Sequence, residues 1–305
     1  MPAHARSDRP KPPPGVVLVD KPGGMTSHDV VARARRALGT RKIGHAGTLD
    51  PMATGLLVLG VEGATRLLTF IVGLDKTYEA TIRLGVATDT DDADGEIVEA
   101  VDAAGITRAQ IDARIAGLTG AISQVPSTYS AIKVDGRRAY DLARAGEEVE
   151  LKAREVTVSR FDVVAERRAG AVIDLDVVVD CSSGTYIRSL ARDLGAALGV
   201  GGHLTALRRT RIGPFGLDAA ADADAIGDAT PLTPAAAAVA VLGRFAVTAD
   251  EARDLRHGKR LEGAAVRLPS VPAAAIDPEG VLVGVVEKRG ADVKSAMNMP
   301  EEASA

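Results

Sequence analysis

Apolar positions along this chain fall into short unbroken runs and two distinct periodicities. GVVLVD (15–20) is a nearly continuous apolar run ended by Pro22-Gly23-Gly24, which predicts a buried strand closed by a turn. Ser27 then stands where an N-cap belongs, ahead of a helix over about 28–38 that Gly39 terminates. LLVLG (56–60) predicts a second buried strand, and GATRLLTFIVG (63–73) a short helix. In KTYEATIRLG (76–85) the period becomes two, with Tyr78, Ala80, Ile82 and Leu84 on one face and Thr77, Glu79, Thr81 and Arg83 on the other. AVIDLDVVVDC (171–181) alternates again, placing Asp174, Asp176 and Asp180 on the wetter face. TRAQIDARIAGL (107–118) and TYIRSLARDLGAALG (185–199) have helical spacing, the second starting after Ser182, Ser183 and Gly184.

Strands and helices interleave without a strict β-α-β rhythm. The expected class is therefore α+β, with a mixed, largely antiparallel sheet and flanking helices. Residues 218–240 are rich in alanine and aspartate and read as a weakly specified connector. Pattern resumes near Phe245 with a helix in TADEARDLRHG and short strands including VLVGVVEK, a small β-rich C-terminal module. The closing SAMNMPEEASA reads as frayed. The expected organisation is a disordered tail over 1–14, a main domain over 15–225, a connector over 226–244, the module over 245–297 and a tail over 298–305. No internal repeat is visible.

Composition narrows the class. A chain of 305 residues, 46% hydrophobic with mean hydropathy +0.07, suits a globular protein with a sizeable core. No apolar run approaches the roughly 18 residues of a spanning helix. The proline-rich start lacks the apolar stretch of a secretory signal, and the single cysteine, Cys181, fits a reducing compartment. A cytoplasmic protein with no membrane attachment is expected.

The net charge of −4 argues against a nonspecific nucleic-acid binder, yet charge is unevenly spread. Residues 1–50 hold nine Lys/Arg against four Asp/Glu, and residues 181–211 hold five arginines against Asp193 alone. Residues 86–115 reverse this, with eight acids against two arginines. The basic stretches are either scattered solvated charge or parts of one basic face.

Cofactor and metal chemistry find no support. The chain has no GxxxxGK[ST] loop, no strand-to-helix GxGxxG and no GxSxG elbow. TDTDDADG (88–95) fails as a calcium loop: with Asp94-Gly95 at positions five and six, Val101 stands where the twelfth-position glutamate is required. The five histidines have no ligand spacing among themselves or with Cys181.

What remains is GHAGTLDPMATG (44–55), where Asp50 sits between Leu49 and Pro51. An ordinary Asp-Pro turn would employ such a carboxylate in an Asx hydrogen bond. Glycines 44, 47 and 55 permit close approach of a ligand to the backbone, however, and Pro51 stiffens the loop. DKPGGMTSHDVV, just upstream, places Lys21 at a strand end. The loop reads as a platform for one reactive carboxylate.

DKPGGMTSHDVVARARR, RKIGHAGTLDPMATGLLVLG, DKTYEATIRLGVATDTDDADGEI, QVPSTYSAIKVDGRRAYDLARAGEEVE, CSSGTYIRSLARDLG and GGHLTALRRTRIGPF resemble, in order, the signature blocks of the bacterial TruB-type tRNA pseudouridine synthases. The resemblance covers about residues 15–216, and the C-terminal segment resembles a PUA module, a small RNA-binding β-barrel. It implies isomerisation of uridine 55 in the T arm of tRNA, without cofactor, metal or obligatory protein partner, by a monomer. Asp50 is then the nucleophile, a role open to aspartate; attack on the ribose, attack on the base and assistance to glycal formation all remain open. The target uridine has to be flipped out of its stack.

By the same resemblance, Tyr78 stacks on the flipped base and assists proton transfer from C5, and Arg188 pairs with the nucleophile. Tyr186 and Leu207 line the uracil pocket. His45 takes the place of the flipped base in the T loop. Lys21 contacts phosphate or supports the catalytic loop, and about 125–150 forms a thumb that grips the RNA, with Lys133, Arg137, Arg138, Tyr129 and Tyr140 as cations and aromatics. Two other readings compete. A tRNA-folding chaperone would need the thumb and His45 but neither Asp50 nor Arg188. A glycoside hydrolase needs a second carboxylate opposite Asp50, for which Asp92 is the one candidate.

Overall fold

The structure, a computed structural model, describes residues 11–129, 133–134, 137–138 and 151–300. The tail expected over 1–14 lies outside them as far as residue 10, as do most of the thumb stretch and the last five residues. In chain order the strands are β1 (Gly15–Lys21), β2 (Ile43–Ala46), β3 (Thr54–Val61), β4 (Lys76–Leu84), β5 (Val86–Thr88), β6 (Ile97–Ala100), β7 (Gly120–Gln124), β8 (Lys133–Val134) and β9 (Arg137–Arg138). They continue as β10 (Arg154–Ala169), β11 (Val172–Cys181), β12 (Gly202–Ile212), β13 (Phe215–Gly216), β14 (Ala221–Asp222), β15 (Arg244–Ala246), β16 (Ala273–Ile276), β17 (Leu282–Arg289) and β18 (Asp292–Asn298). The chain forms two compact units: one from residues up to Asp50, Leu56–Val72 and Gly213 onward, the other from Pro51–Gly55 and Gly73–Ile212.

The second unit is built on strands in the order β3-β12-β4-β11-β10-β7, to which β3 contributes its first two residues. Apart from the parallel β3–β12 pair, every neighbour is antiparallel, as the alternating sequences predict. The apolar face carries Tyr78, Ala80, Ile82 and Leu84 beside Ile173, Leu175, Val177 and Val179. The helix Ile187–Leu198 packs on β12 and on the helix Arg108–Gly117. Gly195 permits this packing, since a Cβ there would stand 2.2 Å from the Gly201 carbonyl carbon. On the opposite face Arg83 makes a bidentate pair with Asp174, both bonds 2.8 Å, and Thr81 donates to Asp176 at 2.8 Å. The Arg83 guanidinium lowers the Asp174 carboxyl below its usual range.

In the first unit β1 lies between β14 and β3, and β2 pairs antiparallel with β3. Its core gathers Val17, Val19, Val30, Val31, Ala34, Ile43, Leu57, Leu59 and Ile226. The helix Ser27–Ala37 starts one residue earlier than the pattern suggests. Thr26 is the N-cap, in a reciprocal capping box with Asp29, which leaves the Ser27 hydroxyl for another task. The expected helix at 63–73 is a 3₁₀ turn, Glu62–Leu67, followed by a single helical turn, Leu68–Ile71.

Further along, β15-β16-β17-β18 form a four-stranded sheet with its own core around Phe245, Leu255, Ala273, Val283 and Val293. Two segments are more ordered than their sequences suggest. The expected connector holds the helix Pro234–Leu242, started by the Thr233 side chain with proline at N1 and burying Ala237 and Ala238. An alanine run has high helix propensity but no amphipathic stripe to reveal it. Residues 295–298, read as frayed, complete β18, and the Asn298 side-chain amide donates to the Leu255 carbonyl at 3.1 Å. No helix among the described residues is long and apolar enough to cross a membrane.

Candidate functional site

Lys21, His45 and Asp50 belong to the first unit, while Tyr78, Tyr186, Arg188 and Leu207 belong to the second. In the first unit, Asp50 ends the segment that leaves β2 through Gly47, whose φ of 85° suits glycine. Leu49, one residue earlier, is held from both sides by one hydroxyl. Its N–H donates to Ser27 Oγ at 2.9 Å, and Ser27 Oγ donates to its carbonyl at 3.2 Å. Both residues are buried. A buried anchor ahead of Asp50 and proline after it restrict where the carboxylate can go.

Lys21 is fully buried, and its Nζ donates to the carbonyls of Pro22 (2.9 Å) and Met25 (2.7 Å). Those bonds stitch the PGG turn to the end of β1. His45 was expected in a loop but lies in β2, opposite Leu59, with its ring edge-on to that of His28 at 5.5 Å.

In the second unit, register does the positioning. Tyr78 on β4 pairs with Val179 on one side and Arg209 on the other, and Leu207 pairs with Ala80. Paired residues share a face, so Tyr78 and Leu207 stand one pairing apart on the apolar side, both largely buried. Arg209, beside Tyr78, is only 1% exposed. Its backbone comes so near Gly55 that a Cβ on residue 55 would lie 2.2 Å from the Arg209 carbonyl oxygen, and Gly55 has φ +100°. This glycine is required twice over.

Tyr186 begins the helix Ile187–Leu198 without a side-chain cap of its own. Gln124 clamps the backbone of that residue: its Oε1 accepts the Tyr186 N–H at 2.8 Å and its Nε2 donates to the Tyr186 carbonyl at 3.1 Å. Two residues on, Arg188 has its side chain 4% exposed and forms an ion pair with Asp92 at 3.2 Å. Its Nη1 donates to the Thr90 carbonyl at 2.9 Å and its Nη2 to the Tyr129 carbonyl at 2.8 Å. One helical turn later Arg192 meets Asp91 at 3.4 Å and the Val125 carbonyl at 2.7 Å.

The acidic loop is thus the receptor for two arginines, not a calcium site. Asp91 adopts φ 62°, unusual for a residue with a side chain, and its carbonyl accepts from Leu204 N–H at 3.0 Å. Burial raises the Asp91 carboxyl above its ordinary value, opposed by Arg192. Below Tyr78 on the same face, Lys76 is 5% exposed and faces Cys181 across the strands. Burial, reinforced by the nearby Arg209, lowers its amine to about 8, while burial pushes the Cys181 thiol up to about 11.

Tyr129, at the start of the stretch expected to form a thumb, donates its hydroxyl to Asp89 at 3.1 Å. β8 and β9 pair as a hairpin, and Tyr140 lies outside the described residues. Among the described residues no group of three His, Cys, Asp or Glu could hold a metal ion.

Sequence reasoning gave Ser27 the place of an N-cap, did not single out Gln124 or Arg209, and weighed Asp92 only as a second acid for sugar chemistry. The acid cluster around Asp92 was visible in the sequence, but its partners come from a distant helix. Nothing local marks a glutamine that binds the backbone of a residue 62 positions away.

Comparison with known proteins gives matches along nearly the whole chain. The TruB family pseudouridylate synthase N-terminal domain matches residues 35–187, the tRNA pseudouridylate synthase B C-terminal domain matches 188–242, and the tRNA pseudouridine synthase II C-terminal model matches 242–300. The tRNA pseudouridine synthase B of Leifsonia xyli subsp. xyli is 57% identical over 94% of this chain and 97% of its own length. The protein of that name from Arthrobacter sp. is 56% identical over 93% of this chain and 95% of its own. Among solved structures, a Cbf5-Nop10-Gar1 complex aligns over 95% of this chain and 84% of its own with a TM-score of 0.67 at 25% identity. An H/ACA RNP bound to a substrate RNA containing 2'-deoxyuridine aligns over 94% and 85% with the same TM-score at 24% identity, a likeness of fold. With its sheet, its pinned aspartate loop and these matches along nearly all its length, this chain belongs to the TruB family of pseudouridylate synthases.

Proposed function

We propose that this chain converts uridine 55 in the T arm of tRNA to pseudouridine, with Asp50 as the carboxylate that acts at the sugar–base bond. The enzyme is a tRNA pseudouridine synthase, an isomerase. The N1–C1′ bond breaks, the base turns, and C5 bonds to C1′. C5 loses a proton and N1 gains one, so atoms and electrons balance without redox change or cofactor. The observation that carries the assignment to Asp50 is the double hydrogen bond between Leu49 and Ser27, because a nucleophile gains most from being held in place before substrate arrives.

Arg188 serves as the cation that keeps Asp50 ionised and oriented. Its planar fork already engages Asp92 and two carbonyls, so the guanidinium is fixed whether or not RNA is bound. Tyr78 offers its ring to the flipped uracil beside Leu207, and Tyr186 closes the pocket from the start of the helix. The ordinary phenol is a weak base at neutral pH, so stacking is its main part and transfer of the C5 proton the lesser. His45 occupies the space the flipped base leaves, and Lys21 holds the turn behind the loop. The thumb, about 125–150, and the C-terminal sheet over 245–297, a PUA-like module, grip the RNA. The enzyme works in the cytoplasm as a monomer, without a protein partner, on tRNA alone.

Pseudouridine formation in an unmodified T-arm hairpin, by the wild type and Asp50→Ala with RNA binding recorded in parallel, tests this. The expected result is conversion by the wild type and binding without conversion by the variant. Binding by both with conversion by neither would leave a chaperone that uses the same groove.

A further inference from the structure

The first fifty residues are rich in cations, and the structure divides these by what they touch. Lys21 is buried in its own turn, Arg33 is paired with Asp224, and Arg35 donates to the Ile43 carbonyl at 3.1 Å. Arg36, Arg41 and Lys42 differ: all three are exposed, and among the described residues none has a carboxylate partner. Elsewhere some exposed cations are matched, as in Arg160–Asp162, Arg253–Asp250 and Lys259–Asp254, and others, such as Arg244, Arg260 and Arg289, have no carboxylate partner among the described residues; what sets this stretch apart is the grouping of three within seven residues. One cation in the last turn of a helix is explained by the helix dipole. Three unmatched ones within seven residues repel each other and need another reason.

The backbone that carries them is held firmly. Lys42 N–H donates to the Thr40 hydroxyl at 3.2 Å, Thr40 bonds the Glu62 carboxylate, and Glu62 N–H donates to the Lys42 carbonyl at 2.8 Å. The Glu62 carboxylate is thereby engaged with Thr40, and Glu62 adopts φ 51°. The turn runs straight into β2, so Lys42 lies about 10 Å from His45 at the usual rise of a strand. A display of fixed, unmatched cations leading into the segment that bears His45 and Asp50 suits a polyanion whose reactive base enters there.

We infer that Arg36, Arg41 and Lys42 form a phosphate-seating patch that holds the RNA backbone on the approach to the Asp50 loop. This rests on the proposed function and adds to it the surface that binds the substrate's backbone. It also explains how a chain of net charge −4 holds RNA: contact is made through a local patch and not through the whole surface.

The test is the salt dependence of T-arm hairpin binding by the wild type, by Arg36→Gln, Arg41→Gln and Lys42→Gln singly, and by the triple variant. Each cation that meets a phosphate contributes about 0.7–0.9 to the slope of log K against log salt, so the triple variant should lose about two from that slope. Arg114→Gln, an exposed arginine on the helix Arg108–Gly117, serves as control and should leave the slope unchanged. An unchanged slope in the triple variant, with the wild type converting uridine, overturns the patch alone. A wild type that makes no pseudouridine overturns the function on which it rests. Binding of anionic phosphatidylserine vesicles that the same substitutions abolish, with the RNA slope intact, would assign the patch to a membrane surface and also overturn it.

Discussion

Two arginine-rich stretches of this protein look alike on paper and behave in opposite ways. Residues 33–42 hold five cations and no acid, and residues 181–211 hold five arginines and one aspartate. In the second stretch Arg188 and Arg209 are buried, Arg188 and Arg192 are bound to Asp92 and Asp91, and Arg211 meets Asp180 at 3.4 Å. In the first, Arg36, Arg41 and Lys42 are exposed and have no carboxylate partner among the described residues. The difference lies in the neighbours. The helix Ile187–Leu198 packs into a core beside a loop with two buried carboxylates, whereas the end of the helix Ser27–Ala37 faces water. Buried, paired arginines hold geometry; exposed, unmatched ones offer charge. In the function proposed above, catalysis draws on the first kind and binding of RNA on the second.

The largest expected effect comes from breaking the buried side of this contrast. Arg188→Gln leaves Asp92 charged inside the protein without its cation. Removing one member of a buried pair costs about 3–5 kcal/mol. Thermal unfolding should show that loss, whereas Arg36→Gln should leave stability within about 0.5 kcal/mol, the usual range for surface substitutions. Equal stability losses in the two variants would erase the distinction.

A smaller effect is expected at Ser27. Ser27→Ala removes both bonds to Leu49, worth about 1–3 kcal/mol together. Because a displacement of about 1 Å can cost roughly 10²-fold in rate, single-turnover conversion should slow by about 10- to 100-fold while RNA affinity stays close to the wild type. A variant that loses affinity but not rate would show that the anchor serves binding instead.

The Asp50 loop, the alternation of β4 and β11 and the buried runs of β1 and β3 were legible in the sequence because each is a local pattern of period or composition. The Asp92–Arg188 pair was not, since each half is an ordinary charge until the fold brings distant segments together. The same holds for Thr26 and Ser27: both are good capping residues, and tertiary contact with Leu49 decides which one caps and which one anchors. The helix Pro234–Leu242 escaped detection for the opposite reason, having strong propensity but no two-sided pattern.

The smallest expected effect concerns the cation buried below Tyr78. The Lys76 amine titrates near 10.5 when free and near 8 in the fold. Between those values the unfolded chain binds more protons than the folded one, so stability rises with pH there. Cys181 acts in the opposite sense between 9 and about 11, so the rise should be clearest between pH 8 and 9. Unfolding temperatures measured across that interval should rise in the wild type and stay flat in Lys76→Met. A flat wild-type profile would mean that the amine is not desolvated.

The most direct test sets the two stretches against each other in one assay. Single-turnover pseudouridine formation at saturating T-arm RNA, with the Kd of the same RNA, would be measured for Arg188→Lys and for the Arg36→Gln, Arg41→Gln, Lys42→Gln triple variant. Lysine keeps the charge but loses the fork that engages Asp92 and two carbonyls at once. The predicted result is a slower saturated rate with near-normal Kd for Arg188→Lys, and a weakened Kd with a normal saturated rate for the triple variant. A weakened Kd with an unchanged rate for Arg188→Lys would contradict the division between arginines that hold geometry and arginines that bind RNA.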